Sequence, residues 1–311
     1  MTRIIFFGSS KHSLLVLKAL QKSPKSKIAA VVTQPDRPKG RKQIPTPTPV
    51  KTFALKHGLA VLTPKNLSYK IAINKINNLK ADLIVSAYFG SLIPQAILVN
   101  AKYGGLNLHP SLLPNYRGPS PAQWAILRGD KTSGITIIKM TEKIDAGKIV
   151  SSQKISITLK ETSQSFYKKA FNTGARLLIQ ILPLYLSGNL NLKDQKSGRF
   201  VYARGLTRKD GKIDWRQNDI KIERMIRAFY PWPGVWTTLR ELAAGYIKTR
   251  KQENKKTRDR RVKILKAHLD ENKKLVIDEV QVAGKKSVSW KEFERGYLIY
   301  LPPPSPFSLN I

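Results

Sequence analysis

The sequence predicts an α/β protein: a Rossmann-like parallel-sheet N-terminal domain followed by a small β-barrel (OB-like) C-terminal domain. Three observations carry this prediction. Short, near-continuous apolar runs alternate with helical segments through residue 186, as strands covered on both faces of a parallel sheet do. Beyond residue 198 the texture changes to short alternating stretches separated by turn residues. With 311 residues, 41% of them hydrophobic, the chain can fill two cores. The expected boundaries are 1–189 for the first domain, 190–205 for a linker and 206–311 for the second.

The elements follow in order. Residues 3–8 form an apolar run closed by Gly8, 12–20 a helix with serine near its start, and 28–33 a second buried run, which together make a βαβ unit. The pattern continues with a helix at 50–57, a strand at 60–62, a helix at 69–79 and strands at 82–87 and 105–109. A helix at 121–128, strands at 133–140 and 149–157, and a long helix at 163–186 close the domain. In the second domain, strands are expected at 262–269, 274–282 and 285–289. Residues 302–311 hold four prolines and no charge, and read as a loose tail.

Composition excludes several chemistries. With no cysteine, disulfide scaffolds, Cys-ligated zinc, iron–sulfur clusters and thiolate nucleophiles are ruled out. The net charge is +36, and it is spread along the chain: residues 1–200 hold 31 basic against 7 acidic side chains, residues 201–311 hold 25 against 13. Such an excess calls for a large anionic partner, nucleic acid first and an anionic membrane surface second, unless it reflects a uniformly basic proteome. No run reaches the roughly 18 to 20 apolar residues of a membrane span, and no signal-peptide pattern precedes the first strand, so a soluble cytoplasmic protein is expected. The first βα turn, Gly8-Ser9-Ser10-Lys11-His12, lacks G-x-G-x-x-G, and no P-loop occurs, so neither dinucleotide nor ATP binding is supported.

The densest chemistry lies between residues 107 and 145. Asn107 and His109 are two apart at the end of an apolar strand, so their side chains share a face, and Pro110 then turns the chain into a loop. The carboxyl ends of strands in such sheets are where ligands bind. A carboxamide donor beside an imidazole suits stabilisation of a developing oxyanion with proton transfer nearby. Asp145 is the candidate third member, a carboxylate in a half of the chain poor in acids. Taken alone, the three also fit a structural histidine and a turn aspartate.

The full stretch Asn107-x-His109-Pro110-Ser111-Leu112-Leu113-Pro114-x-Tyr116-Arg117-Gly118, with Asp145 downstream, resembles the 10-formyltetrahydrofolate-dependent formyltransferase family. Acceptors in that family include glycinamide ribonucleotide, amino sugars and the methionyl group of initiator tRNA. Residues 33–42 with 45–51 resemble the basic loop of the branch acting on methionyl-tRNA, and 226–234 resemble the opening of its C-terminal domain. Two departures stand out: Gly8-Ser9-Ser10 replaces the usual Gly-Thr-Pro, and Gly40-Arg41-Lys42-Gln43 lacks an expected second glycine.

The resemblance implies formyl transfer from 10-formyltetrahydrofolate, as co-substrate, to initiator methionyl-tRNA, with no metal. It implies Asn107, His109 and Asp145 as catalytic, and Ser111, Leu112, Leu113 and Pro114 as lining the folate site with Tyr88, Phe89 and Gly90. It implies Arg37, Lys39, Arg41 and Lys42 as acceptor-stem contacts. A second basic run, residues 248–261, holds eight basic residues and two acids and suits backbone-phosphate contacts. A monomer without membrane contact is expected. The rival readings are a formyltransferase for a small amine such as glycinamide ribonucleotide or an amino-sugar nucleotide, and an RNA-binding protein on an inactive scaffold.

Overall fold

The computed structural model describes residues 1–40, 42–246 and 260–298. Arg41, most of the basic run at 248–261 and the 302–311 tail therefore lie outside the described residues. The chain divides into two compact units. The first comprises Met1–Ala125, Asp130–Leu159 and Ser165–Gly205, and the second Ile126–Gly129, Lys160–Gln164 and Leu206–Ile311.

The first unit is built on a seven-stranded sheet in the order β5-β2-β1-β6-β7-β8-β9. Its parallel part consists of β1 (Thr2–Gly8), β2 (Ser26–Val32), β5 (Val61–Leu62), β6 (Leu83–Ala87) and β7 (Gly105–His109). Strands β1 and β6 are apolar and buried on both faces, with Ile4, Phe6, Leu83 and Val85 fully inaccessible, as expected where helices cover both sides. The helices are α1 (Lys11–Lys22), α2 (Pro49–Lys56), α3 (Lys70–Asn77), α4 (Gln95–Leu98), α5 (Pro121–Arg128) and α6 (Ser163–Leu186). Gly8 ends β1 where an added Cβ would sit 2.7 Å from Ser13 Cβ, so the unusual Gly8-Ser9-Ser10 turn keeps its glycine for a steric reason. Ser10 then caps α1, accepting from the amides of His12 and Ser13.

The sheet is not parallel throughout. β8 (Thr132–Lys139) and β9 (Ile149–Ser156) are antiparallel to their neighbours. The polar, partly exposed face of β9 marks it as an edge strand, where such mixing is common. The basic loop is a short hairpin of β3 (Arg37–Lys39) and β4 (Ile44–Thr46), paired Arg37 to Thr46 and Lys39 to Ile44. At its tip Gln43 takes φ 50°, the left-handed conformation that glycine favours, at the turn where the resemblance leads one to expect a second glycine.

The second unit, among its described residues, holds an antiparallel sheet of β10 (Val235–Thr238), β11 (Arg261–Leu269), β12 (Leu275–Val282) and β13 (Ser287–Ser289) in chain order. Three of these strands fall where alternation placed them. Two longer helices were not anticipated: α7 (Asp219–Ala228), which packs on β11 and β12, and α8 (Leu239–Tyr246). A short helix, α9 (Trp290–Phe293), follows β13. Asn218 caps α7 at the Lys221 amide, and Ile222, Met225 and Ile226 form its buried stripe, a helical spacing within a region read as β-rich. Among the described residues no helix is long and apolar enough to cross a membrane.

Candidate active site

The site lies at the carboxyl ends of β6 and β7, on the first unit. Asn107 and His109 project from β7 on one face, and the 141–147 loop between β8 and β9 brings Asp145 to both. Asn107 Nδ2 donates to Asp145 Oδ1 at 3.3 Å, and His109 Nδ1 lies 3.3 Å from Asp145 Oδ2. The same Oδ2 accepts the Gly118 backbone N–H at 3.0 Å. The Asp145 carboxylate is thus a hub for two side chains of β7 and one backbone N–H of the loop that follows it.

His109 is almost wholly buried, and its orientation is fixed from the other side. Its Nε2 donates to the Tyr116 carbonyl at 2.8 Å, which leaves Nδ1 as the nitrogen facing Asp145. Asn107 has a second amide hydrogen not used by Asp145, so it can offer a donor to a substrate oxygen.

A cavity of about 400 Å³ opens over the three side chains. Tyr88, Phe89 and Gly90 form part of its wall, together with Ile93, Met140 and Tyr202. Phe89 is held edge-on against Phe7 with ring centroids 5.2 Å apart, while Tyr88 stays partly exposed. Behind Tyr88 stand His12, Tyr167 and Phe171. Burial holds the His12 imidazole below its usual range, with the Lys11 charge adding to the effect.

Ser111, Leu112, Leu113 and Pro114 do not border that cavity. They form the tight loop that returns Tyr116 to His109. Ser111 Oγ donates to the Asn115 carbonyl at 2.7 Å, and Thr136 Oγ1 on β8 donates to the Ser111 carbonyl and accepts the Leu113 amide. Leu112 packs over Gly134, where an added Cβ would strike it. Arg37, Lys39 and Lys42 are exposed on the β3–β4 hairpin. Among the described residues no three His, Asp or Glu side chains cluster as metal ligands.

Sequence reasoning missed the Tyr116 carbonyl, the Gly118 amide and Gln195. The first two are backbone groups inside the quoted motif, so only the turn at Tyr116-Arg117-Gly118 hinted at them. Gln195 lies in the stretch read as linker, which runs within the first unit and pairs with it: Tyr116 N–H donates to the Val201 carbonyl and Ala203 N–H to the Arg117 carbonyl.

A buried His–Asp pair beside an amide donor, at the strand ends of an open α/β sheet, can move a proton and steady a developing oxyanion. Residues 2–182 match the family described as Formyl transferase, and residues 205–298 the family described as Formyl transferase, C-terminal domain. The chain belongs to the formyl transferase family. Relatives along nearly the whole length include methionyl-tRNA formyltransferases. That of Bacillus velezensis is 38% identical over 305 residues, covering 95% of each chain, and that of Bacillus subtilis 37% identical over 303 residues, again covering 95% of each. Among solved structures, the methionyl-tRNA formyltransferase from Clostridium thermocellum shares the fold with a TM-score of 0.59 at 17% identity, covering 91% of this chain and 99% of that one. An N-formyltransferase from Helicobacter canadensis, solved with folinic acid and dTDP-3-aminofucose, shares it with a TM-score of 0.59 at 18% identity, covering 86% and 88%.

Proposed function

We propose that the protein transfers the formyl group of 10-formyltetrahydrofolate to the α-amino group of methionyl initiator tRNA, in the cytoplasm, for translation initiation. The observation that carries this reading is the convergence of Asn107 and His109 on Asp145 in a chain similar end to end to methionyl-tRNA formyltransferases. The free amine must be neutral to attack, and α-amino groups titrate near about 8, so a modest assist suffices. Its nitrogen attacks the formyl carbon, and the oxygen of the tetrahedral intermediate becomes negative. The free Asn107 amide hydrogen donates to that oxygen. Asp145, held by the Gly118 N–H and backed by His109, takes the proton lost by the amine. The C–N10 bond then breaks, and tetrahydrofolate leaves with a proton passed on through the His109–Asp145 pair. No covalent enzyme intermediate is required.

The apolar wall at Tyr88, Phe89 and Gly90 suits a pterin ring, and the Ser111–Pro114 loop supports the folate site by holding Tyr116 on His109. The exposed Arg37, Lys39 and Lys42 would meet phosphates of the acceptor stem, and Arg41 is given the same role. We take the working form to be a monomer. The test is a formyl-transfer assay with labelled 10-formyltetrahydrofolate, offering methionyl initiator tRNA, glycinamide ribonucleotide and an amino-sugar nucleotide in parallel. Label should enter the tRNA alone. Preferential labelling of either small amine would replace this reading, and labelling of none would favour the inactive scaffold.

A further inference from the structure

We propose that Gln195 is a positioning residue for the catalytic carboxylate, a side chain that fixes the Asp145 loop against the Gly118 loop and so sets where Asp145 meets His109. The inference rests on the function proposed above.

The geometry is specific. Gln195 Nε2 donates to the carbonyl of Asp145 at 2.7 Å and to that of Gly147 at 2.8 Å. Its Oε1 accepts from Arg117 Nε at 3.0 Å and from the Arg117 terminal nitrogen at 2.7 Å. The amide orientation follows from these partners, since the reverse would set NH₂ against a guanidinium and oxygen against two carbonyls. One side chain therefore links the loop bearing Asp145 to the residue next to Gly118, whose N–H holds the Asp145 carboxylate.

The Asp145 loop requires such a link. Asp145 sits at φ 50°, a left-handed conformation uncommon for a non-glycine residue and held by its surroundings. Gly147 passes so close to the Lys139 carbonyl that an added Cβ would collide with it, so the loop has little slack. Gln195 is itself anchored. Lys193 pairs with Ile149 on β9 through bonds of 2.7 and 2.9 Å, and Ala203 pairs with Arg117 on the far side. The Arg117 guanidinium also lies over Phe200, 4.3 Å from the ring centroid, a cation–π contact that helps keep its two donors on the one Gln195 oxygen.

The experiment uses the full chain and two variants, Gln195→Ala and Arg117→Lys, which loosen the same link from opposite ends. Formyl transfer to methionyl-tRNA is measured alongside histidine ring resonances by NMR. For Gln195→Ala, kcat should fall about 10- to 100-fold, the range typical of second-layer hydrogen-bond partners, while KM for both substrates changes less than about threefold. Arg117→Lys should show a smaller loss of the same kind. The His109 resonances should move in both variants, with those of His57 at the end of α2 and His268 on β11 unchanged. Turnover within about twofold of the parent, a loss confined to KM, or unmoved His109 resonances would overturn the proposal. The NMR result does not depend on the acceptor, so a parental chain that fails to formylate tRNA but shows the His109 shift in the variants would refute the function and leave the positioning role standing.

Discussion

Asp145 carries three hydrogen-bonding relations at once, and this makes the site a unit and not three independent groups. Asn107→Ala, His109→Ala and Asp145→Ala should each lower kcat by about 10²–10³, the loss typical of a single removed transition-state donor, with the circular dichroism spectrum unchanged. Combined variants should lose far less than the product of the single losses, because the members share one hub. Gly118→Ala is a sharper probe of the backbone contribution. Gly118 has φ 111°, and an added Cβ would lie 2.7 Å from the Ala203 carbonyl and 3.0 Å from the Tyr202 ring. The substitution must shift the N–H that holds Asp145, so steady-state kinetics should show kcat falling with substrate KM values nearly kept. Asn107, His109 and Asp145 were legible as candidates, from two polar residues spaced by two at a strand end and one carboxylate in an acid-poor half, with the family resemblance deciding against a structural histidine and a turn aspartate. The Tyr116 carbonyl and Gly118 amide were not, because every residue has a backbone and only folding selects which ones matter.

Elements differ in how plainly they announce themselves. The apolar strands β1, β6 and β7 and the long helix α6 were legible from periodicity. The β3–β4 hairpin was not, because its prolines and lysines read as loop and its pairing needs Gln43 in a glycine conformation. Helix α8 carries a reciprocal cap that sequence could have revealed: Thr238 Oγ1 accepts the Glu241 amide at 3.2 Å, and Glu241 Oε2 accepts the Thr238 amide at 3.1 Å. The Lys212 ammonium, 2.9 Å from Glu241, holds this carboxyl below its ordinary range, and the Thr238 amide adds to the effect. A depressed acid stabilises the fold above the ordinary carboxylate range and loses that contribution as pH falls through the depressed value. Thermal melts of Glu241→Gln, which keeps an oxygen for the cap and removes the charge facing Lys212, should therefore show a modestly lower Tm than the parent at pH 7, with the gap closed in strong acid. An undiminished gap there would show that the charge is not the source.

At the scale of the whole molecule, charge and chain boundaries set what each part contributes. With a charge of +36, affinity for tRNA should be steeply salt-dependent, and the exposed hairpin should supply part of the slope. Replacing Arg37 and Lys42 by alanine should raise KM for tRNA and flatten the log–log slope by about one to two units, with folate binding unaltered. Unchanged slope with weakened folate binding would move the hairpin to the folate site. The boundary matters as much. Sequence read 190–205 as a linker, yet that stretch supplies Gln195 and pairs with the Tyr116–Arg117 turn. No compositional signal marked it, since a polar segment that hydrogen-bonds to a loop looks the same as one that dangles in water. A chain ending at residue 205 should bind folate with parental affinity by fluorescence titration, whereas one ending at residue 189 should lose the ordered Asp145 loop and with it the His109 resonance position.

The central claim is that the Asn107–His109–Asp145 unit formylates the amine of methionyl initiator tRNA. It is tested most directly by single-turnover transfer from 10-formyltetrahydrofolate at saturating enzyme, which separates chemistry from tRNA binding, comparing the parent with His109→Ala. The parent should convert the bound methionyl-tRNA to its formylated form completely, and the variant should do so about 10²-fold or more slowly at unchanged tRNA affinity. A parent that leaves methionyl-tRNA unformylated, or a variant that matches its rate, would contradict the account.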